Sequence, residues 1–541
     1  MDDLMQSRRT FIKAAGVALG GFAVAGMAGC APAATSSNDK AVSVADIKWD
    51  EEYDVIVVGG GLAGFASAVT VATEGDGAKC LLLEKGPLET GNGNSAFAAG
   101  MVLWTKEKEK FASYLKNLRG EMDNTPDDVL DAFAEGISEN LDWLRSLPGF
   151  SEDDVTVTEH FEVGTGTSCY PEYNELPDAY SLGKVSFKKD SQNGNTQVTI
   201  FMNNVAKSLS DAITHKTNAP ATALVQDPDT KEILGCVYTD GSKSTYAKAT
   251  KGVIMCCGGF ENNAQMKADY LSAPFTRRIA GLCNEGDGIT MCARCGADMW
   301  HMNSCAGFWT SMSELESDTC LMRTPKDQGI TVGVNGRRFF MDWDSDVALD
   351  WDTFTEGDLS THVGSRHGHM QFGGEWPHLP MPAKTWFITD TTGYQSILAN
   401  KMMNIDFDPM DGWGYTADSI EQLAGLIEVP ADELSRTVKQ WNECCANGED
   451  VYFHRPPKTL KTVDGAPYYA LFCPPTILNT DGGPRRSAQG EILDLEGQPI
   501  PHLYSAGEFG SVWSNMYNGG GNLGECLAFG RISARNCLGI A

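Results

Sequence analysis

A chain of 541 residues can bury a sizeable core and has room for two or three domains. Its 42 Lys and Arg against 72 Asp and Glu leave a formal charge of −30, which excludes a general affinity for nucleic acid or anionic lipid, since both need basic patches. Hydrophobic residues at 42% and aromatics at 9% exclude a chain that is disordered throughout.

The first thirty residues read as an address rather than as part of the fold. Ser7-Arg8-Arg9-Thr10-Phe11-Ile12-Lys13 lead into an apolar run from Ala14 to Gly29. Paired arginines before a moderately apolar stretch mark the twin-arginine export route, and the run is short for a membrane span. It ends Met27-Ala28-Gly29-Cys30, similar to the box at which bacterial lipoproteins are cleaved, so Cys30 is the expected lipid anchor and the cell envelope the expected location. Residues 31–49, rich in Ala, Ser and Asp, read as a tether.

Tyr53-Asp54-Val55-Ile56-Val57-Val58 is a short apolar run of the kind that forms a buried parallel strand. Gly59 to Gly64 follow, Phe65–Thr73 carry a helical pattern, and Lys79–Leu83 form a second strand ending at Glu84: a βαβ unit. An amphipathic helix is predicted over 126–146, with Leu130, Phe133, Ile137, Leu141 and Leu144 on one face. Gly252–Cys257 is another apolar strand ending in glycines, and a helix follows Asp287. Residues 300–390 differ, being rich in Trp, His, Met and Gly with few periodic runs; 416–446 return to helix, Gly490 opens a strand pair, and Asn522 to Cys537 read as a terminal helix.

Gly59-Gly60-Gly61-Leu62-Ala63-Gly64 fits the dinucleotide fingerprint G-x-G-x-x-G in the context the motif requires, after a strand and opening a helix, with an acid at the end of the next strand. The glycines allow a tight turn and bring backbone N–H groups to a pyrophosphate at the helix N-terminus, and Glu84 is placed to accept from ribose hydroxyls. Two further glycine-rich strand ends, Cys256-Cys257-Gly258-Gly259-Phe260 and Ser505-Ala506-Gly507-Glu508, wrap a longer dinucleotide than NAD. FAD is therefore the predicted cofactor, and folded export suits a protein that loads it in the cytoplasm.

The 16 cysteines, with the adjacent pairs Cys256-Cys257 and Cys444-Cys445, show no disulfide framework and read as small buried hydrophobes in an anaerobic setting. Cys283, Cys292, Cys295, Cys305 and Cys320 are read as core residues rather than iron–sulfur ligands, because Cys292 and Cys295 fall on a predicted helix. His367 and His369, flanked by His362 and His378, would share a strand face, but without a third ligand they form a polar wall and no metal site is predicted.

With these segments in place the chain resembles the fumarate reductase and succinate dehydrogenase flavoprotein family, in particular its soluble exported reductases and the related ketosteroid dehydrogenases. The matching stretches are Val57–Gly64, Glu84-Lys85, Gly93-Asn94-Ser95 with Gly100, and Cys257-Gly258-Gly259-Phe260, continuing with Gly286-Asp287-Gly288, Gly336-Arg337-Arg338-Phe339, Gly482-Gly483 and Leu503–Glu508. They run in the family's order from about residue 50 to the C-terminus. The resemblance implies an α/β protein in which a Rossmann-like FAD-binding domain, 50–299 and 476–541, is interrupted by a smaller α+β capping domain, 300–475. It implies FAD contacts from Gly59, Gly61, Leu62, Ala63, Gly64, Glu84, Lys85, Asn94, Ser95, Gly100, Met101, Gly258, Asp287, Gly507, Glu508, Asn522 and Leu523, the last two opening a helix whose dipole faces the flavin.

The family's reductases move a hydride to one alkene carbon while an arginine protonates the other. That arginine aligns with Arg366, in Ser365-Arg366-His367-Gly368-His369, and the acid of the proton path with Asp342; the position of the relay arginine is Ser345. Arginine is a poor acid in water, so the role requires a desolvated site and a relay. The histidine and arginine that grip a substrate carboxylate align with Asn479 and Asn522, which removes the charge-assisted bonds a dicarboxylate needs. A neutral enone or an aromatic enoate is expected instead, in a pocket walled by Trp309, Trp376, His369, Asn479 and Gly521. Tyr517 before Asn518-Gly519-Gly520-Gly521 is similar to the turn with which ketosteroid dehydrogenases hold a ketone oxygen. The leading reading is an ene-reductase; the alternatives are a ketosteroid-type dehydrogenase and a flavin-binding lipoprotein without catalysis. No Cys-x-x-Cys-His haem site occurs, so electrons are expected from a separate partner, a membrane-linked cytochrome.

Overall fold

The structure, a computed structural model, describes residues 47–98, 100–121, 123–159, 171, 173, 176–187, 197–307, 313, 328–340, 342, 384–399, 408, 410–412, 414–455, 457–514 and 517–540. Within the unit Lys48–Ala541, β1 (Glu51–Val58), β2 (Cys80–Leu83) and the later strand Ile213–Lys216 run parallel, in the register Val57 to Leu82 and Leu82 to His215. Val55, Ile56 and Val57 are fully buried, as an apolar run covered on both faces must be. The other side of β1 pairs with the long strand Lys243–Met255, again in parallel, with Val57 opposite Ile254. That strand is long enough to be shared: its first half pairs antiparallel with Ile233–Asp240, and its last residues pair parallel with Pro499–Ser505.

Helix α1 (Leu62–Glu74) crosses from β1 to β2 and is buried from Leu62 to Val71. It packs on the terminal helix α2 (Gly521–Leu538), where a Cβ on Gly530 would meet that of Ala66 at 2.7 Å. The helix Asp127–Ser146 covers α2 in turn, and the face predicted for it, Leu130, Phe133, Ile137, Leu141 and Leu144, is buried. A three-stranded antiparallel sheet of Met101–Trp104, Gly183–Phe187 and Val155–Thr158 lies alongside.

A separate antiparallel sheet takes its strands in the order Ile330–Gly333, Thr385–Asp390, Tyr468–Phe472 and Gly414–Ala417. Its own core holds Ile330, Ile388, Leu434 and Trp441. Short ladders pair the passage leaving the large sheet with the one returning: Met299–Trp300 with Gly483–Pro484, and Cys305–Ala306 with Asn479–Thr480. The structure is thus mixed α/β, with a mostly parallel central sheet and a second antiparallel one. The helix read over 416–446 is in fact a strand and two helices, Ile420–Leu426 and Ala431–Asn447. Ser419 caps the first by accepting from the Gln422 N–H, and Pro430, which has no N–H to continue a helix, caps the second. No described helix is long and apolar enough to cross a membrane.

Candidate active site

The carboxyl ends of β1, of Lys243–Met255 and of Pro499–Ser505 meet the N-termini of α1 and α2, the place where open α/β sheets bind ligands. At Gly59 φ is +111°, and a Cβ there would collide with the Cys256 carbonyl; a Cβ on Gly64 would fall on the Gly59 carbonyl oxygen. Those two glycines close the turn. Gly61 is different, since a Cβ on it meets only the Ser95 hydroxyl, at 3.4 Å, and leaves a cradle above the start of α1. The Leu62 N–H of that first turn donates to Ser95 Oγ at 3.0 Å.

Glu84 is buried and accepts from Gly60 N–H at 3.0 Å and Gly86 N–H at 2.6 Å. Burial pushes its carboxyl upward, opposed by those two bonds. Lys85 is held by Asp287 at 2.5 Å and Glu285 at 2.8 Å, and Asp287 opens the helix Asp287–Arg294.

These residues surround a cavity of about 430 Å³. Of the residues assigned to the cofactor from sequence, Gly59, Gly61, Leu62, Ala63, Glu84, Lys85, Asn94, Ser95, Met101, Gly258, Asp287, Glu508, Asn522 and Leu523 line it. Gly64, Gly100 and Gly507 stand behind the wall: φ is +78° at Gly100 and +70° at Gly507, where a Cβ would meet Ala63 at 2.8 Å. Gly521, assigned to the substrate, packs on the Trp513 ring. Asn479 and Tyr517 line the cavity as well. Arg366, His369, Trp376 and Trp309 lie outside the described residues, as do His362, His367, His378, Cys320 and the leader with Cys30.

The polar groups before α2 form an ordered chain. Asn522 Nδ2 donates to Asn479 Oδ1 at 3.1 Å, and Asn479 Nδ2 donates to Asp481 Oδ1 at 3.0 Å. Asn522 Oδ1 is left buried without a partner, and the Tyr517 hydroxyl accepts from the Asn522 N–H at 3.3 Å. Asp342 is elsewhere, beside the antiparallel sheet. Its carboxylate accepts from Thr331 N–H at 2.6 Å, from Arg338 Nη2 at 2.8 Å and from Arg455 Nη1 at 3.4 Å. Arg338 also reaches Asp450 at 2.8 Å, and both arginines lie over the Trp441 ring.

Sequence reasoning assigned no role to Glu261, Asn284 or Asp481. Glu261 is buried behind Glu508, which lines the cavity, with Asn94 Nδ2 donating to both carboxyl groups. Its signal was an acid directly after the glycine-rich end of a buried strand, where an apolar residue would ordinarily pack.

A helix N-terminus over an open glycine cradle, a buried carboxyl at the end of the next strand and an orphaned amide oxygen inside the cavity fit FAD. The family model described as FAD binding domain matches residues 54–523. The chain is 26% identical to digoxin reductase of Eggerthella lenta, over 98% of this chain and 97% of that protein. It is 24% identical to urocanate reductase of the same organism, over 93% of this chain and 77% of that protein. Among solved structures, the 3-ketosteroid delta1-dehydrogenase of Sterolibacterium denitrificans superposes with a TM-score of 0.68 at 20% identity, covering 90% of this chain and all of that one, a likeness of fold.

Proposed function

From the premise that the chain belongs to the FAD binding domain family and is an FAD-dependent oxidoreductase acting on CH–CH bonds, we propose that it reduces the activated C=C bond of an organic acceptor that is not a dicarboxylate, a neutral enone or an aromatic enoate. One observation carries the choice of acceptor. Among the described residues lining the cavity the one cation is Lys85, and two carboxylates already hold it. Where a dicarboxylate would need positive charge the wall offers the amides of Asn479 and Asn522 and the hydroxyl of Tyr517. At this part of the wall a second carboxylate would give up its hydration with only neutral amides and a hydroxyl to replace it.

Bound FAD supplies the hydride. The N-terminus of α2, with Asn522 and Tyr517, would polarise the acceptor's carbonyl, and Arg366 would deliver the proton in a site walled by Trp376, His369 and Gly521. Asp342 would keep that proton path supplied, with Arg338 and Arg455 beside it in place of the arginine absent at Ser345. The names of the digoxin and urocanate reductases support reduction as the direction. Electrons would come from a membrane-linked cytochrome, and the twin arginines and Cys30 would place the protein in the cell envelope. Tyr517 beside the α2 N-terminus favours one rival, desaturation of a ketosteroid-like ketone, in which a saturated ketone would bleach the oxidised flavin.

Stopped-flow reoxidation of the dye-reduced protein by enones tests the reading. Arg366→Ala is expected to slow the reaction about 10²- to 10⁴-fold, the loss typical of a missing general acid. An unchanged rate removes Arg366 from the chemistry.

A further inference from the structure

Glu261 and Glu508 form a pair that the FAD contacts alone do not explain. Asn94 Nδ2 donates to Glu261 Oε1 at 2.7 Å and to the two Glu508 oxygens at 3.0 and 3.1 Å, while its own Oδ1 accepts from Gly281 N–H at 2.8 Å. Asn284 Nδ2 also donates to Glu261 Oε1, at 2.6 Å. Glu261 Oε2 is buried with no donor. That oxygen and Glu508 Oε1 approach the same point, lying 2.8 and 3.0 Å from where a Cβ on Gly259 would be. A buried carboxylate oxygen with no donor, beside a second buried carboxyl group that shares its Asn94 donor, is costly for two anions to hold and is relieved by one hydrogen.

We propose that Glu508, in the wall of the FAD cavity, and Glu261, buried behind it, share one proton at neutral pH, and that FAD is retained only while the proton is there. Asn94 adjoins Ser95, whose hydroxyl touches the first turn of α1, so the pair stands beside the cradle fitted for a pyrophosphate. Two full negative charges there would oppose an anionic ligand; a pair holding one proton opposes it less and can donate to it.

The anions around Glu508 favour keeping the proton, and one cation near Glu261 opposes it. Lys267, on the helix Ala264–Tyr270, works against the proton at Glu261 and is outweighed by burial. Asp481 and Glu525 add negative field at Glu508, with Glu525 partly answered by Arg486 at 3.2 Å. The thiols of Cys305 and Cys526 also lie within the field of the pair, and burial keeps both protonated. Burial pushes the Glu261 carboxyl up to about 7, and burial together with Glu261 raises Glu508 well above the usual carboxylate range.

The test uses the full chain stripped of FAD and retitrated by flavin fluorescence from about pH 6 to about pH 9. One proton held by the complex makes Kd rise about tenfold per pH unit once the free pair has lost it. Calorimetry in buffers of different ionisation enthalpy should find close to one proton taken up on binding above that point. In Glu261→Gln the amide supplies the hydrogen permanently, and the pH dependence should flatten. The wild-type protein gives a second readout that needs no variant, the infrared carbonyl band of a protonated carboxyl group, assigned by isotope labelling of glutamate. A Kd independent of pH in the wild type, or the absence of that band at neutral pH, overturns the proposal.

Discussion

Replacing Asp342 by Asn removes the anion from a cluster in which nothing is exposed. The Asp342 side chain is 0% accessible, that of Arg338 5% and that of Arg455 1%. Removing one partner of a buried ion pair leaves an uncompensated charge and costs about 3–5 kcal/mol. Here the lower end applies, because Arg338 keeps Asp450 at 2.8 Å and the Asn side-chain oxygen can still accept from Thr331 N–H. The loss should be local. The Asp342 acceptor ties the edge strand Ile330–Gly333 to Arg455, which also donates to the Gly329 carbonyl at 2.8 Å. Hydrogen exchange resolved by peptide should therefore show protection falling by about 3 kcal/mol, roughly a hundredfold, in Ile330–Gly333 and Tyr468–Phe472, with little change in β1 and α1. FAD affinity should be unchanged, since Asp342 does not line the cavity. A fall of less than about 1 kcal/mol would show that the cluster is solvated and would refute the reasoning.

Three further outcomes are expected. Gly64→Ala drives a methyl group into the Gly59 carbonyl, so a folded protein with FAD affinity lowered on the order of 100-fold should result, measured by flavin fluorescence; retention of FAD would contradict the turn geometry. Glu261, Glu508 and Glu525 have carboxyls raised in the folded state by burial, Glu525 to about 7. The folded state then binds more protons than the unfolded one, so their contribution is full below the unfolded value of about 4.3 and is lost as pH rises through about 7, and the melting temperature should fall between about pH 5 and about pH 8. Asn522→Arg combined with Asn479→His restores cations at the wall and should tighten a dicarboxylate by about 10- to 100-fold in a ligand-perturbed flavin spectrum, charge-assisted bonds being worth about 1.5–3 kcal/mol.

Much of the candidate cavity could be read in the sequence because its wall is built from backbone at strand ends. A buried strand, a glycine turn and an acid at the end of the next strand fix the positions of Gly59, Gly61 and Glu84 within a few residues of chain. The convergence of Gly258 and Glu508 on the same cavity followed from three separate glycine-rich ends. Contacts across long separations were not legible. Nothing local joins Asn94 to Glu261 and Glu508, or Arg455 to Asp342, because those pairings depend on how the sheets meet. The break at Pro430 did have a local signal, which the helical period on either side of it masked. Asn479 and Asn522 were picked out as replaced cations, but the ordered chain through Asp481 that orients them appears only when Thr476–Pro484 returns beside Met299–Ala306.

The most direct test of the central claim is anaerobic reoxidation of the dye-reduced, FAD-loaded protein against a panel of neutral enones, aromatic enoates and fumarate, followed at the flavin absorbance band. An enone or aromatic enoate is expected to restore the oxidised band with formation of the saturated product, while fumarate is not. Reoxidation by fumarate alone, or bleaching of the oxidised protein by a saturated ketone with no reoxidation by any alkene, would contradict that claim.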